Sequence, residues 1–174
     1  MSAVEQAGAE RTYRAIGRFI FEFSQVEYTI RYYLADQIGL HEEHFSAIVE
    51  SYDVALLITV AKQVFKKPLH SGAISAAFLH GPRPAYLRDF RAQNDRGDRI
   101  ETLLNRFLEF NFYRNRVAHG LWVPSMDGGT VVHVPRNKLT PARFADQAVE
   151  LEKRADELCK LRADLENAFT AMPE

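Results

Sequence analysis

Apolar residues near the start of the chain recur at steps of three and four. Ile16, Ile20, Phe23, Ile30, Leu34 and Ile38 make one stripe, which predicts an amphipathic helix over about Val4–Ile38. Glu27 sits on the same seam between Phe23 and Ile30, and a carboxylate there needs a partner. Two readings stand: an ion pair with Arg31 one turn later, or a supporting group for a site on a neighbouring helix.

A second stripe of Phe45, Val49, Tyr52, Leu56, Val60 and Val64 predicts a helix over about Glu43–Lys66, ended by Pro68. From Pro68 to Gly97 the period fades among Gly72, Gly81, Pro82, Pro84 and Gly97. This segment reads as an irregular insert carrying short helices at Ile74–Leu79 and Ala85–Gln93. Asp98 then suits an N-cap for a third long helix with the stripe Ile100, Leu103, Leu104, Phe107 and Leu108, ending at Gly120. Leu121-Trp122-Val123 and Thr130–Val134 flank Asp127-Gly128-Gly129, which predicts a β-hairpin over residues 121–135. The last helix is predicted from Pro141 to about Ala171. Its near-heptad stripe is Phe144, Ala148, Leu151, Ala155, Leu158, Leu161, Leu165 and Phe169.

These elements predict an all-α fold: a mainly antiparallel bundle of four long helices, with short extra helices and one small hairpin. A chain of 174 residues buries one substantial core, so a single domain over residues 1–174 is expected. Its 47% hydrophobic and 26% charged composition excludes a disordered chain. The longest apolar run, Val54–Ala61, is too short to span a bilayer, and no signal peptide is apparent, so a cytoplasmic protein off the membrane is expected. One cysteine, Cys159, excludes an intramolecular disulfide and a multi-cysteine zinc site.

A net charge of −1 supplies no global field for a polyanion, so nucleic-acid contact would need a local patch. The one basic concentration lies between Arg83 and Arg116, where eight arginines face five acids. An ordinary solvated surface accounts for it equally well.

The candidate chemistry lies in Phe112-Tyr113-Arg114-Asn115-Arg116-Val117-Ala118-His119-Gly120. On a helix Arg114 falls within roughly 20° of Phe107, and His119 within roughly 20° of Leu108 and Phe112. Both polar groups therefore continue rows that are apolar upstream, as expected where a helix faces a cleft or a partner chain. Asn115 and His119 stand one turn apart and can touch. The motif occupies the last turns of its helix, where the macrodipole favours cations. A guanidinium, an amide and an imidazole suffice for phosphodiester cleavage without a metal or cofactor: Arg114 neutralises charge on the phosphorane and His119 moves the proton. Tyr113 and Arg116, with Glu27, are supporting candidates. Tyr113 and Trp122 suit stacking on a base or filling a core or dimer seam.

Arg114-Asn115-x-x-x-His119 resembles the motif of the HEPN superfamily, and Phe23-Ser24-Gln25-Val26-Glu27 on a long first helix, together with a long terminal helix, adds to the likeness. The resemblance covers about two thirds of the chain loosely. It implies a homodimer with two motifs facing one cleft, and a metal-independent endoribonuclease of toxin or phage-defence type, with an antitoxin partner. Arg114, Asn115 and His119 would be the catalytic residues. The alternative it implies is a non-catalytic HEPN module that binds a nucleotide or a partner protein. Where members paired with a nucleotidyltransferase carry a modified Tyr two residues after the His, this chain has Leu121. His41-Glu42-Glu43-His44 lacks the spacing that puts two imidazoles on one helix face, and it reads as a polar helix start.

Overall fold

The computed structural model describes the backbone of residues 3–45, 49, 51–66, 83–119, 121–123, 130–133, 142–144 and 148–171, with side chains over 6–41, 44–45, 49, 51–66, 95–119 and 148–171. In chain order the elements are α1 (Ala3–Gln37), α2 (Glu42–Phe45), α3 (Val54–Lys66), α4 (Arg83–His119), β1 (Leu121–Val123), β2 (Thr130–His133), β3 (Ala142–Phe144) and α5 (Ala148–Thr170). The described chain is predominantly helical. None of its helices is long and apolar enough to cross a membrane.

Packing divides the chain into two compact units, Met1–Val26 with Glu109–Leu161, and Glu27–Leu108 with Arg162–Glu174. In the first unit, Phe19, Phe23 and Val26 of α1 are buried, as are Phe110, Tyr113 and Val117 of α4 and Leu151, Ala155, Leu158 and Leu161 of α5. Arg11 pairs with Glu152 at 3.1 Å and Arg18 with Asp156 at 2.5 Å. The two contacts advance along α1 and α5 in the same direction, so these helices run parallel here. β2 joins β1 and β3 in an antiparallel sheet, in the register Leu121↔Val132 and Val132↔Arg143.

In the second unit the core comprises Ile30 and Leu34 of α1, Leu57, Ile58 and Ala61 of α3, Ile100, Leu104 and Phe107 of α4, and Leu165 and Phe169 of α5. The Phe169 ring stacks on Tyr33 at 4.9 Å and meets Phe65 at 4.7 Å. α3 and α4 run antiparallel, with Lys62 bonded to Asn105 and Lys66 to Glu101. Arg96 closes the end of α5 by donating to the carbonyls of Ala168 and Phe169, which have no acceptor duty left within their helix.

Several expectations are corrected. The helix expected over Glu43–Lys66 is broken into α2 and α3, and α3 starts afresh at Asp53. The Asp53 side chain accepts a hydrogen bond from the Leu56 N–H at 2.8 Å, the bond of an N-cap. This restart resets the helical phase, so α3 buries Leu57, Ile58 and Ala61, and Leu56 of the expected stripe is exposed. Asp98 is not an N-cap, because α4 has already run from Arg83 through the expected Ala85–Gln93 helix and Gly97. Gly97 marks a close approach instead: a Cβ there would stand 3.3 Å from the Phe65 carbonyl oxygen. The last helix begins at Ala148, since Ala142–Phe144 pairs with β2 as a strand rather than forming a first turn after Pro141. The short helix expected at Ile74–Leu79, the turn Asp127-Gly128-Gly129 and Gly120 lie outside the described residues.

Candidate functional site

The end of α4 in the first unit carries Arg114, Asn115 and His119. What orients it is the row Phe110, Tyr113 and Val117, whose i, i+3, i+7 spacing is buried. Tyr113 is 6% exposed; Phe19 meets its ring edge-on at 5.4 Å, and the Arg154 guanidinium lies 4.0 Å from the ring centroid. Such a stacked cation contributes about 0.5–2 kcal/mol and fixes the ring. Arg154 also pairs with Glu150 at 3.2 Å. Tyr113 thus belongs to the core that holds the motif.

With that row turned inward, helical geometry sends Asn115 and His119 to the opposite side of α4, roughly 40° apart. Both are exposed, and so is Phe112 at 68%. His119 therefore does not continue a buried row, as the sequence pattern suggests. Phe112 and His119 turn outward because α4 buries Tyr113 and Val117 here, whereas Leu108 upstream is half-buried. Arg114 is half-buried on the flank between the two faces. Its guanidinium lies 5.8 Å from the centre of the Phe23 ring, and Nη1 donates to Oδ1 of Asn115 at 3.2 Å. The apolar ring below and the amide beside it hold the cation at the edge of the exposed strip.

The structure brings Arg114 and Asn115 together. It does not join Asn115 to His119: the imidazole has no hydrogen-bond or ion-pair partner among the described residues, and the Asn115 oxygen is taken by Arg114. Arg116 is exposed on the same turn.

Glu27 belongs to the second unit. Its Oε1 stands 2.5 Å from Nη2 of Arg31, which is the ion pair that the i, i+4 spacing offers. Arg31 also donates to the carbonyls of Val49 and Tyr52 and is only 9% exposed. The carboxylate therefore serves a buried arginine that fastens α1 to the segment before α3. Among the arginines of the basic stretch, Arg96 is committed to the α5 carbonyls, and Arg99 is exposed.

Two buried groups escape sequence reasoning. Glu22 Oε2 and Arg154 Nε, both in the first unit, are buried without a hydrogen-bond partner among the described residues. Arg154 precedes the seam residue Ala155 and could have been read as flanking it. Glu22 gave no signal, because it reads as an ordinary solvated position. No three His, Cys, Asp or Glu side chains converge among the described residues. Comparison with protein-family models, with curated proteins and with solved structures finds no match to this chain.

Proposed function

We propose that this chain is a HEPN-type, metal-independent endoribonuclease that works as a homodimer. The observation that carries the reading is the outward strip of α4, where exposed Phe112 lies beside Asn115 and His119, with Arg114 fixed at its edge. A large exposed aromatic next to charge-handling groups is the surface a second copy would cover, bringing two motifs to one cleft. There Arg114 holds the scissile phosphate. His119 takes the proton of the attacking 2′-hydroxyl or supplies one to the departing 5′-oxygen, leaving a 2′,3′-cyclic phosphate and a free 5′-hydroxyl. Asn115 keeps the guanidinium in place. A toxin or defence role, with an antitoxin as partner, belongs to the same reading.

One observation favours the alternative, a non-catalytic module for a nucleotide or partner protein. The Asn115 oxygen engages Arg114, so no described residue of the same chain orients the imidazole. The deciding experiment incubates the protein with a mixed RNA pool in chelator, beside Arg114→Ala, Asn115→Ala and His119→Ala. Cleavage with cyclic-phosphate ends is expected, falling about 100-fold or more in the His119 and Arg114 variants and less in the Asn115 variant. Phe112→Arg should turn a dimer into a monomer by light scattering and abolish cleavage. Intact RNA with the parent protein would refute the enzyme.

A further inference from the structure

A concave site in the second unit, outside the motif helix, takes its shape from the end of α1. Tyr28, Tyr32 and Asp36 follow one another at steps of four and so share one face of α1. Gly39, with φ of 65°, then stops the helix: its N–H donates to the Asp36 carbonyl at 3.0 Å, and the Leu40 N–H donates to the Ala35 carbonyl at 2.9 Å. These are the paired bonds of a Schellman terminator, which brings the residue after the glycine against the last turn. Leu40 and then Phe45 of α2 are turned back toward the tyrosine face. The result is a cavity of about 340 Å³ lined by Tyr28, Tyr32, Ala35, Asp36, Leu40 and Phe45.

We infer that this cavity is a binding site for a small organic ammonium ion. Three features of the lining point to a cation, and each is independent of the others. Three of the six walls are aromatic rings, whose faces attract a cation with about 0.5–2 kcal/mol each. The single charged residue of the lining is Asp36, whose carboxylate has no ion-pair partner among the described residues. The site also lies at the C-terminal end of a 35-residue helix, where the macrodipole is negative. The nearest arginine on α1, Arg31, is turned away into its bonds with Glu27, Val49 and Tyr52. His41 and His44 are exposed beside the site and are not part of its wall. Ala35 and Leu40 add apolar lining for the alkyl groups of such a ligand. Tyr28 and Tyr32 are 59% and 53% exposed, far more than structural tyrosines of a core need. The volume suits a free molecule of modest size rather than an extended chain.

The test titrates the full-length protein with choline chloride and tetramethylammonium chloride by calorimetry, beside 3,3-dimethyl-1-butanol, the neutral carbon analogue of choline. Saturable binding of both cations is expected, with the neutral alcohol at least about tenfold weaker. Asp36→Asn and Tyr32→Ala should each weaken the cations about tenfold, while Val149→Ala, at an exposed position in the other unit, should bind like the parent. Both positions are exposed, so the variants should keep the parent's circular dichroism and melting temperature, which is checked in parallel. Equal binding of the neutral alcohol, undiminished binding by Asp36→Asn, or no saturation by either cation would overturn the inference. So would capture of a lysine-bearing peptide without binding of the free cations.

Discussion

Arg31 and Glu27 stand 2.5 Å apart on successive turns of α1, and the arginine reaches on to two carbonyls of the segment before α3. The carboxylate is held by the buried cation, and the cation by three acceptors from two parts of the chain. Replacing Arg31 with Met should therefore cost about 3 kcal/mol, because it leaves a half-buried carboxylate and two carbonyls without their donor. Glu27→Gln keeps the carbonyl bonds and should cost only about 1 kcal/mol. Urea denaturation of the two variants measures both. If Glu27 supported catalysis, its loss would lower RNA cleavage beyond what the stability change explains; unchanged cleavage by folded Glu27→Gln is expected.

The glycines of α1 and α4 should respond unequally to an added methyl group. Gly17 is exposed in mid-helix, and a Cβ there meets nothing within 4 Å. Gly17→Ala should stabilise the protein by about 0.5–1 kcal/mol and raise Tm by about 2 °C. Gly97 is buried, and its Cβ would press on the backbone of Phe65 and Lys66 at 3.3 and 3.5 Å. The same propensity gain is offset there, so Gly97→Ala should fall below Gly17→Ala, and Gly97→Leu should destabilise by about 2 kcal/mol. Thermal melting of the three variants checks the ordering.

Lys66 and Glu101 meet at 2.7 Å and move each other's titration. The Lys66 ammonium, first as a hydrogen-bond donor and then as a charge, holds the Glu101 carboxyl below the ordinary glutamate range. The Glu101 carboxylate in turn pushes the Lys66 ammonium above the ordinary lysine range. A depressed carboxyl contributes stability that is present above its unfolded pKa and lost as pH falls through the folded value. A raised ammonium contributes below its unfolded pKa and loses it as pH rises through the folded value. The small advantage of the pair over Lys66→Met should thus be flat at neutral pH and shrink at both acid and alkaline extremes. NMR titration of the Glu101 carboxyl should show its midpoint return to the ordinary range in Lys66→Met.

How much of this was legible in the sequence differs between elements for physical reasons. α5 read almost completely: Ala148, Leu151, Ala155, Leu158, Leu161, Leu165 and Phe169 are all buried, because a helix packed along its whole length keeps one period. α1 read as well in its middle, where Phe23, Ile30 and Leu34 are buried, but Ile38 lies past the end at Gln37 and is exposed. α3 misread because period-counting runs straight through a break, and only the Asp53 cap announces that the phase restarts. Gly97 misled in another way. In the sequence it reads as punctuation, whereas in the fold it lets one helix approach the backbone of another. At the candidate site the Arg114–Asn115 proximity follows from adjacency. The outward turn of His119 does not, because it depends on α4 choosing Tyr113 rather than Phe112 for its buried face.

The parallel course of α1 beside α5 carries a consequence for synthesis. Arg11 and Arg18 find their partners 141 and 138 residues downstream. At ordinary ribosomal speeds of about 5–20 residues per second, the first helix emerges on the order of ten seconds before the last one exists to flank it. Through that interval Phe19, Phe23 and Val26 have no α5 to help cover them, and a nascent chain of this design relies on chaperone shelter or on quick docking of α4.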